Sequence, residues 1–84
     1  MNLKIPVNGK TEEFKPANGT TFELEELQSA VGGKIEFVYP KENHIMVVDE
    51  EGVLKGKPLN TAASFLAGIP IVGDVAIVQE KFIE

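Results

Sequence analysis

The chain of 84 residues contains no cysteine, no tryptophan and no arginine, and it has a single histidine. Without cysteine it cannot form disulfides, a thiolate metal site or a cysteine nucleophile, so its fold must rest on apolar packing. Because all eight basic residues are lysines, no guanidinium group is available for bidentate recognition of phosphate or guanine. We therefore expect no duplex DNA binding, and one histidine without cysteine makes a metal site unexpected.

A long hydrophobic run is also missing. The longest apolar stretch, residues 69–78, is interrupted by Pro70, Gly73 and Asp74, whereas a membrane-spanning helix needs roughly 20 apolar residues. The segment after Met1 has no basic start, no apolar signal core and no small-residue cleavage site. We expect no membrane association, no secretion signal and a cytoplasmic location.

The remaining composition is that of an ordinary globular domain. Hydrophobic residues make up 43% of the chain and charged residues 25%, and the length predicts one domain over residues 1–84. A domain of this size buries only about 60% of its unfolded surface, so a homo-oligomer is one expected route to stability. The net charge of -5 indicates either a basic protein partner or a role in solubility alone.

The first part of the chain predicts a hairpin followed by a helix. Residues 2–15 alternate apolar and polar side chains around the turn dipeptide Asn8-Gly9. Pro6 places the first strand at a sheet edge or turns its N–H side to solvent, so the hairpin is expected to be peripheral. Thr20 and Glu23 form a capping-box pattern for a helix over residues 21–31, which a Gly-Gly pair ends.

The second part predicts strands around another short helix. Residues 34–39 and 45–48 read as an antiparallel pair, with a short strand at 53–55. A helix over residues 61–67 is expected to be highly buried, and residues 75–78 predict a buried strand. The element order is ββαβββαβ, which gives an α+β fold with a mostly antiparallel sheet and two short helices.

Few side chains suggest catalysis. The turn Asp49 to Gly52 reads as a solvated hairpin turn and not as a cation loop. His44 reads as a loop or strand-edge residue; as an acid or base it could be paired only with Asp49 or Glu50. We therefore expect no enzyme, no catalytic residue and no cofactor.

A ligand site can be assembled only from weak candidates. A phosphate could bind near the glycines and near Lys55 and Lys57 at the start of the second helix, although caps and turns also explain these glycines. Asn60 is either an N-cap or a polar anchor projecting into a groove. Tyr39 and Phe65 could stack on a base, although such positions are more often core. The candidate ligand-binding residues are Gly32, Gly33, Tyr39, Lys55, Lys57, Asn60, Gly73 and Asp74.

Three ordered motifs carry a resemblance to a known family. They are Val31-Gly32-Gly33 followed by Lys34-Ile35-Glu36, the run from Val48 to Asn60 with Ala62 after it, and Ile71 to Val75. Together they resemble the domain-of-unknown-function family numbered 3846 over about residues 22–79, with the hairpin outside the strongest similarity. The family's recurrent Gly-Gly, Asn and Gly-Asp positions correspond to Gly32, Gly33, Asn60, Gly73 and Asp74.

The resemblance implies a small accessory protein of bacteriophages or other mobile elements and brings no catalytic residues. We expect a non-enzymatic protein that binds a host factor, as a counter-defence or host-takeover inhibitor. One alternative is sequestration of a small nucleotide signal at a glycine-lined or dimer-interface pocket. Another is a structural or assembly protein of a phage complex.

Overall fold

A computed structural model describes residues 2–84 as one five-stranded antiparallel sheet with two helices. The spatial strand order is β2-β1-β5-β4-β3, and every neighbouring pair is antiparallel. The elements in chain order are β1 Leu3–Ile5, β2 Glu12–Glu13, α1 Leu24–Val31, β3 Ile35–Lys41, β4 His44–Asp49, α2 Thr61–Ala67, β5 Val75–Gln79 and a short 3-10 turn at Glu80–Phe82. The α+β prediction is confirmed.

The sheet separates two apolar cores because successive side chains of a strand point to opposite faces. On the α1 face, Leu27 and Val31 pack with Phe14, Phe22 and alternate residues of β4 and β5. The rings of Phe14 and Phe22 stack with their centroids 4.4 Å apart. On the α2 face, Ala63 packs with the other alternate residues of the same strands.

The hairpin differs from its prediction in which strand lies at the edge. β1 pairs with β2 on one side and with the central strand β5 on the other, so β2 is the edge strand. Pro6 lies one residue beyond the end of β1, where its missing N–H costs no ladder hydrogen bond. The Asn8-Gly9 turn is present, with Gly9 at φ 82°.

The start of α1 lies later than predicted. Its N-cap is Glu23, and the capping box joins Glu23 to Glu26 instead of Thr20 to Glu23. The side chain of Asn18 accepts the backbone N–H of Thr20 and of Thr21, and this local turn competes with helix formation there. The helix ends as predicted at Gly32, which adopts φ 80°.

The predicted strand at residues 53–55 is wrong. This segment belongs to a loop of helical turns, in which Lys55 N–H bonds to the carbonyl of Glu51 and Gly56 N–H to that of Val53. Three residues with two apolar side chains do not distinguish a strand from an exposed turn, and no strand lies beside them. The order of helices and strands along the chain is therefore ββαββαβ.

The predicted burial of α2 is also wrong. Only Ala63 of this helix is buried, and Phe65 is 86% exposed. The helix meets the sheet through its small residues Ala63 and Ala67, which let the two backbones approach closely. Its large side chains consequently point away from the sheet.

Candidate functional site

The family motifs meet at a buried carboxylate. Asp49 ends β4, and its side chain is inaccessible to solvent. Its Oδ2 accepts Nζ of Lys57 at 2.6 Å and Nζ of Lys55 at 2.9 Å, and its Oδ1 accepts the backbone N–H of Glu51 at 2.8 Å. We call Asp49, Lys55 and Lys57 the ion cluster. The prediction of a solvated turn is wrong for Asp49, because both lysines fold back over it.

The surroundings of Asp49 determine its charge state. Burial by itself would raise the pKa of this carboxyl group. Hydrogen bonds from Lys57, Lys55 and the backbone N–H of Glu51, together with the charge of Lys57, outweigh burial and hold the pKa far below its usual range. Asp49 is therefore an anion at neutral pH, and it is neutralised by its neighbours.

The same lysines hold the C-terminal end of α1. Nζ of Lys57 donates to the carbonyl of Val31 at 2.7 Å, and Nζ of Lys55 donates to the carbonyl of Gly32 at 3.3 Å. Cations at this end satisfy free carbonyl groups and oppose the negative end of the helix dipole. The ion cluster thus ties loop 50–58 and β4 to α1.

Gly33 explains why a glycine pair follows the helix. A Cβ atom there would lie 2.5 Å from Nζ of Lys55 and 3.0 Å from both carboxylate oxygens of Asp49. A side chain would push the lysine away from its partner. Gly73 also lies against the cluster, because a Cβ at its position would meet Cδ of Lys57 at 2.7 Å.

Asn60 is a fully buried N-cap. Its Oδ1 accepts the backbone N–H of Ala63 at 3.0 Å, and its Nδ2 donates to the carbonyls of Ile5 and Gly73 at 2.8 Å each. The capping interpretation is confirmed, and the side chain points into the protein instead of into a groove. Asp74 also joins two distant segments of the chain, at the surface, where its Oδ1 accepts the N–H of Val7.

The structure therefore brings together six of the eight candidate ligand residues. Gly32, Gly33, Lys55, Lys57, Gly73 and Asn60 are connected through the ion cluster and the Asn60 hydrogen bonds. Both ammonium groups already contact Asp49 and helix carbonyls. A nucleotide phosphate at these residues stays a prediction, and it would have to compete with the Asp49 carboxylate.

Two candidates for acid–base chemistry are not brought together. His44 and Asp49 occupy the two ends of β4, which at strand spacing separates them by roughly 16 Å. The Nδ1 atom of His44 lies 3.0 Å from the carbonyl of Glu42.

Tyr39 and Phe65, proposed for stacking, are 67% and 86% exposed, so the expectation that they belong to the core is wrong.

An apolar surface beside the ion cluster was not recognised in the sequence. Six of the eight large exposed hydrophobic side chains among residues 2–84 fall between positions 53 and 69, which concentrates them in one stretch of the chain. We call this set the exposed apolar surface. Its members are Val53, Leu54, Leu59, Phe65, Leu66 and Ile69.

A shallow pocket of about 250 Å³ joins the loop to the segment after α2. Val53, Ile69 and Pro70 line it together with Val38 of β3 and Val48 of β4. Glu36 and Glu50 line the same pocket. The exposed apolar surface therefore has an acidic border, whereas the nearby Lys55 and Lys57 are paired with Asp49.

The sequence did contain one signal for this surface. Residues 58–73 include no charged side chain, although charged residues normally make up a quarter or more of a protein surface. The predicted burial of the helix over residues 61–67 rested on its small apolar side chains and not on this absence of charge. In such a charge-free segment, polar groups can anchor the backbone while the apolar side chains remain exposed to solvent.

Within residues 2–84, no helix is both long enough and apolar enough to cross a membrane. The described residues also contain no group of three or more His, Cys, Asp and Glu side chains placed to hold a metal ion.

Fold and site together define a small α+β domain whose glycine, asparagine and Gly-Asp segments converge on one buried ion cluster. The profile of the family described as Domain of unknown function (DUF3846) matches residues 5–83, and the chain belongs to this family. The match is longer than the expected 22–79 and includes most of the hairpin. Comparison with curated proteins and with solved structures finds no match.

Proposed function

We propose that this protein is a non-enzymatic binding module that docks a partner protein on the exposed apolar surface. The observation that carries the proposal is the orientation of α2. Phe65 and Leu66 point to solvent from a helix that lies on the sheet through Ala63. A patch of this kind on a small domain marks an interaction site.

The orientation of α2 is fixed by polar groups instead of by large apolar side chains. Asn60 holds the start of the helix, and Oγ of Ser64 both accepts the N–H of Ile71 at 2.7 Å and donates to its carbonyl at 3.1 Å. The apolar side chains are thus presented on a fixed backbone. Preorganisation of this kind lowers the entropic cost of binding.

The chemistry of the surface describes the partner. Its centre has no charge over residues 58–73, and Glu36 and Glu50 border it. A complementary protein would present apolar or aromatic anchors surrounded by lysine or arginine side chains. For an accessory protein of a mobile element, we propose that this partner is a host protein.

The test compares two double variants of exposed apolar side chains. The double variant Phe65→Ser with Leu66→Ser removes two side chains of the surface. Its control is Tyr39→Ser with Leu24→Ser, because these two residues lie outside the exposed apolar surface. Leu24 is 52% exposed against 48% for Leu66, and Tyr39 is 67% exposed against 86% for Phe65. A photo-cross-linking residue is placed at position 65 or 24, and adducts are identified by mass spectrometry after expression in a bacterial host.

We expect one host polypeptide to cross-link from position 65 and to co-purify with the control but not with the surface variant. Truncating a central aromatic anchor costs about 2 kcal/mol or more of binding, which is roughly a 30-fold loss of affinity. Equal retention by both double variants would contradict the proposal. Cross-linking from position 24 alone would move the interface to the α1 face.

A further inference from the structure

The two edges of the sheet differ in a way that concerns binding. At one edge, β2 is only two residues long and consists of Glu12 and Glu13. Short, charged edges discourage pairing with another chain. At the other edge, β3 is seven residues long and has β4 on one side only.

The outward backbone groups of β3 can be assigned from the ladder. Glu50 N–H donates to the carbonyl of Lys34 at 2.8 Å, and Glu36 and Val38 follow in the same antiparallel register with β4. Because hydrogen-bonded and non-hydrogen-bonded pairs alternate, the N–H and C=O groups of Ile35 and Phe37 point away from β4. Neither residue makes any other hydrogen bond within residues 2–84.

The pocket described above lies directly beside this edge. Glu36 and Val38 of β3 line it together with Val53, Ile69 and Pro70. A strand added to β3 would place alternate side chains next to Glu36 and Val38 on the α2 face of the sheet. One side chain would meet the carboxylates of Glu36 and Glu50, and the next would enter an apolar pocket of about 250 Å³.

We infer that the β3 edge binds an extended segment of the partner protein as a sixth strand of the sheet. The segment carries a lysine or arginine opposite Glu36 and an aliphatic residue two positions away that fills the pocket. Backbone groups of Ile35 and Phe37 supply the ladder hydrogen bonds. The inference rests on the proposed function, since Val53 and Ile69 belong to both the pocket and the exposed apolar surface.

A second copy of the chain fits this edge poorly. Pro40 and a bulge between Val38 and Lys41 limit regular pairing to the first half of β3. Antiparallel self-pairing of that half, with Ile35 opposite Phe37 of the second copy, would put the two Glu36 side chains opposite each other. Like charges at that position are destabilising, so in this register a basic segment fits the edge better than a second copy does.

The experiment titrates the full chain with a capped synthetic peptide, Thr-Lys-Thr-Leu-Thr, and follows backbone amides by two-dimensional NMR up to millimolar concentration. A second peptide carries N-methyl groups at the amides that would bond to β3. A third replaces its Lys by Glu. Each is measured with the wild-type protein and with Glu36→Lys, and Glu12→Lys at the opposite edge is the matched control.

We expect the Lys peptide to shift the Ile35 and Phe37 amides of the wild type and of Glu12→Lys. N-methylation should abolish the shifts. The Glu36→Lys variant should bind the Lys peptide about fivefold more weakly and prefer the Glu peptide, because the charge pair is reversed. Shifts that survive N-methylation, or no shift at Ile35 and Phe37 at the highest concentration, would overturn the inference.

The double variant Phe65→Ser with Leu66→Ser separates this inference from the proposed function. It should bind the peptide normally, since neither residue lines the pocket, while it loses the host protein. Capture of the host protein without peptide shifts would refute the added strand alone. If the peptide binds and the double variant still captures the host protein, the docking surface alone would be refuted.

Discussion

The two faces of the sheet hold their helices in different ways. On the α1 face, aromatic and aliphatic side chains interlock: Phe14 stacks on Phe22, Phe82 meets Phe22 edge-on with centroids 6.4 Å apart, and Leu27 is buried among them. On the α2 face, the helix contributes one fully buried residue, Ala63. The first helix is fixed chiefly by packing, with the ion cluster holding its C-terminal end, and the second chiefly by hydrogen bonds.

This difference shows how a small domain can display apolar side chains without losing its fold. A helix held by its own large residues must bury them, so they cannot serve a partner. Because Asn60 and Ser64 anchor α2 through polar contacts, Phe65 and Leu66 are free to face solvent. Changes that remove the polar anchors should therefore affect the α2 face, and apolar truncations should affect the α1 face.

The largest effect is expected from Asn60→Asp. The new carboxylate can still accept the N–H of Ala63, but its second oxygen would face the carbonyls of Ile5 and Gly73, which now lie 2.8 Å from Nδ2. An unpaired charge at a fully buried site should cost more than about 4 kcal/mol of unfolding free energy. Urea denaturation followed by circular dichroism measures this loss.

Asn18→Asp is the control for that substitution. Asn18 is exposed, and its Oδ1 also accepts two backbone N–H groups. The same chemical change should therefore cost less than about 1 kcal/mol there. Similar losses at the two positions would show that Asn60 does not anchor α2 through its amide donors.

The next effect contrasts apolar side chains on the two helices. Leu27→Ala empties a site in the α1 core and should lower the unfolding free energy by about 3 kcal/mol. Leu66→Ala removes the same atoms from a half-exposed position and should change it by no more than about 0.5 kcal/mol. Equal losses in urea denaturation would mean that α2 is held by packing after all.

The sequence predicted the packed part of the fold better than the polar part. Alternation in residues 34–39 and 45–48 predicted the β3–β4 pair, the glycine signals located the ends of both helices, and the Asn60 cap located the start of α2, because these patterns are local. The burial of α2 was wrong because Asn60 finds its partner Ile5 at a separation of 55 residues. No local pattern encodes that contact.

The ion cluster shows the same limit. Lys55 and Lys57 were recognised as candidates, but Asp49 was assigned to a solvated turn because the acidic run Asp49-Glu50-Glu51 resembles one. What sets Asp49 apart is its place as the last residue of β4, with the α1 end and Gly33 close by. That arrangement depends on the folded loop 50–58, in which residues 53–55 were predicted as a strand and form helical turns instead.

A smaller effect is expected from Asp49→Asn, which removes the charge at the centre of the cluster. Lys57 and Lys55 would lose their common partner, and the unfolding free energy at neutral pH should fall by about 2 kcal/mol. The folded-state pKa of Asp49 is lowered, so this stabilisation is fully present above the ordinary carboxyl pKa, near 4, and declines as the pH falls below it. Urea denaturation at pH 7 and pH 3 measures both terms.

The gap between wild type and Asp49→Asn should therefore shrink at the lower pH. The pKa of Glu26 is also lowered, by hydrogen bonds from the backbone N–H of Glu23 and of Ala17, but this group is present in both proteins and cancels. Glu25→Gln, on the exposed side of α1, serves as the control variant. A gap that stays constant with pH would mean that the charge of Asp49 contributes nothing to stability.

The smallest effect should come from Ser64→Ala, which removes the second polar anchor of α2. The N–H of Ile71 would lose its partner Oγ, and the expected cost is about 1 kcal/mol. Ser29→Ala is the matched control, because Ser29 is an exposed helical serine of α1 for which alanine is a better helix former by a few tenths of a kcal/mol. Opposite signs for the two serines in urea denaturation would place the anchoring contacts on the α2 face. A gain in stability from both would leave Asn60 as the sole polar anchor and would reduce the contrast between the two faces to a single side chain.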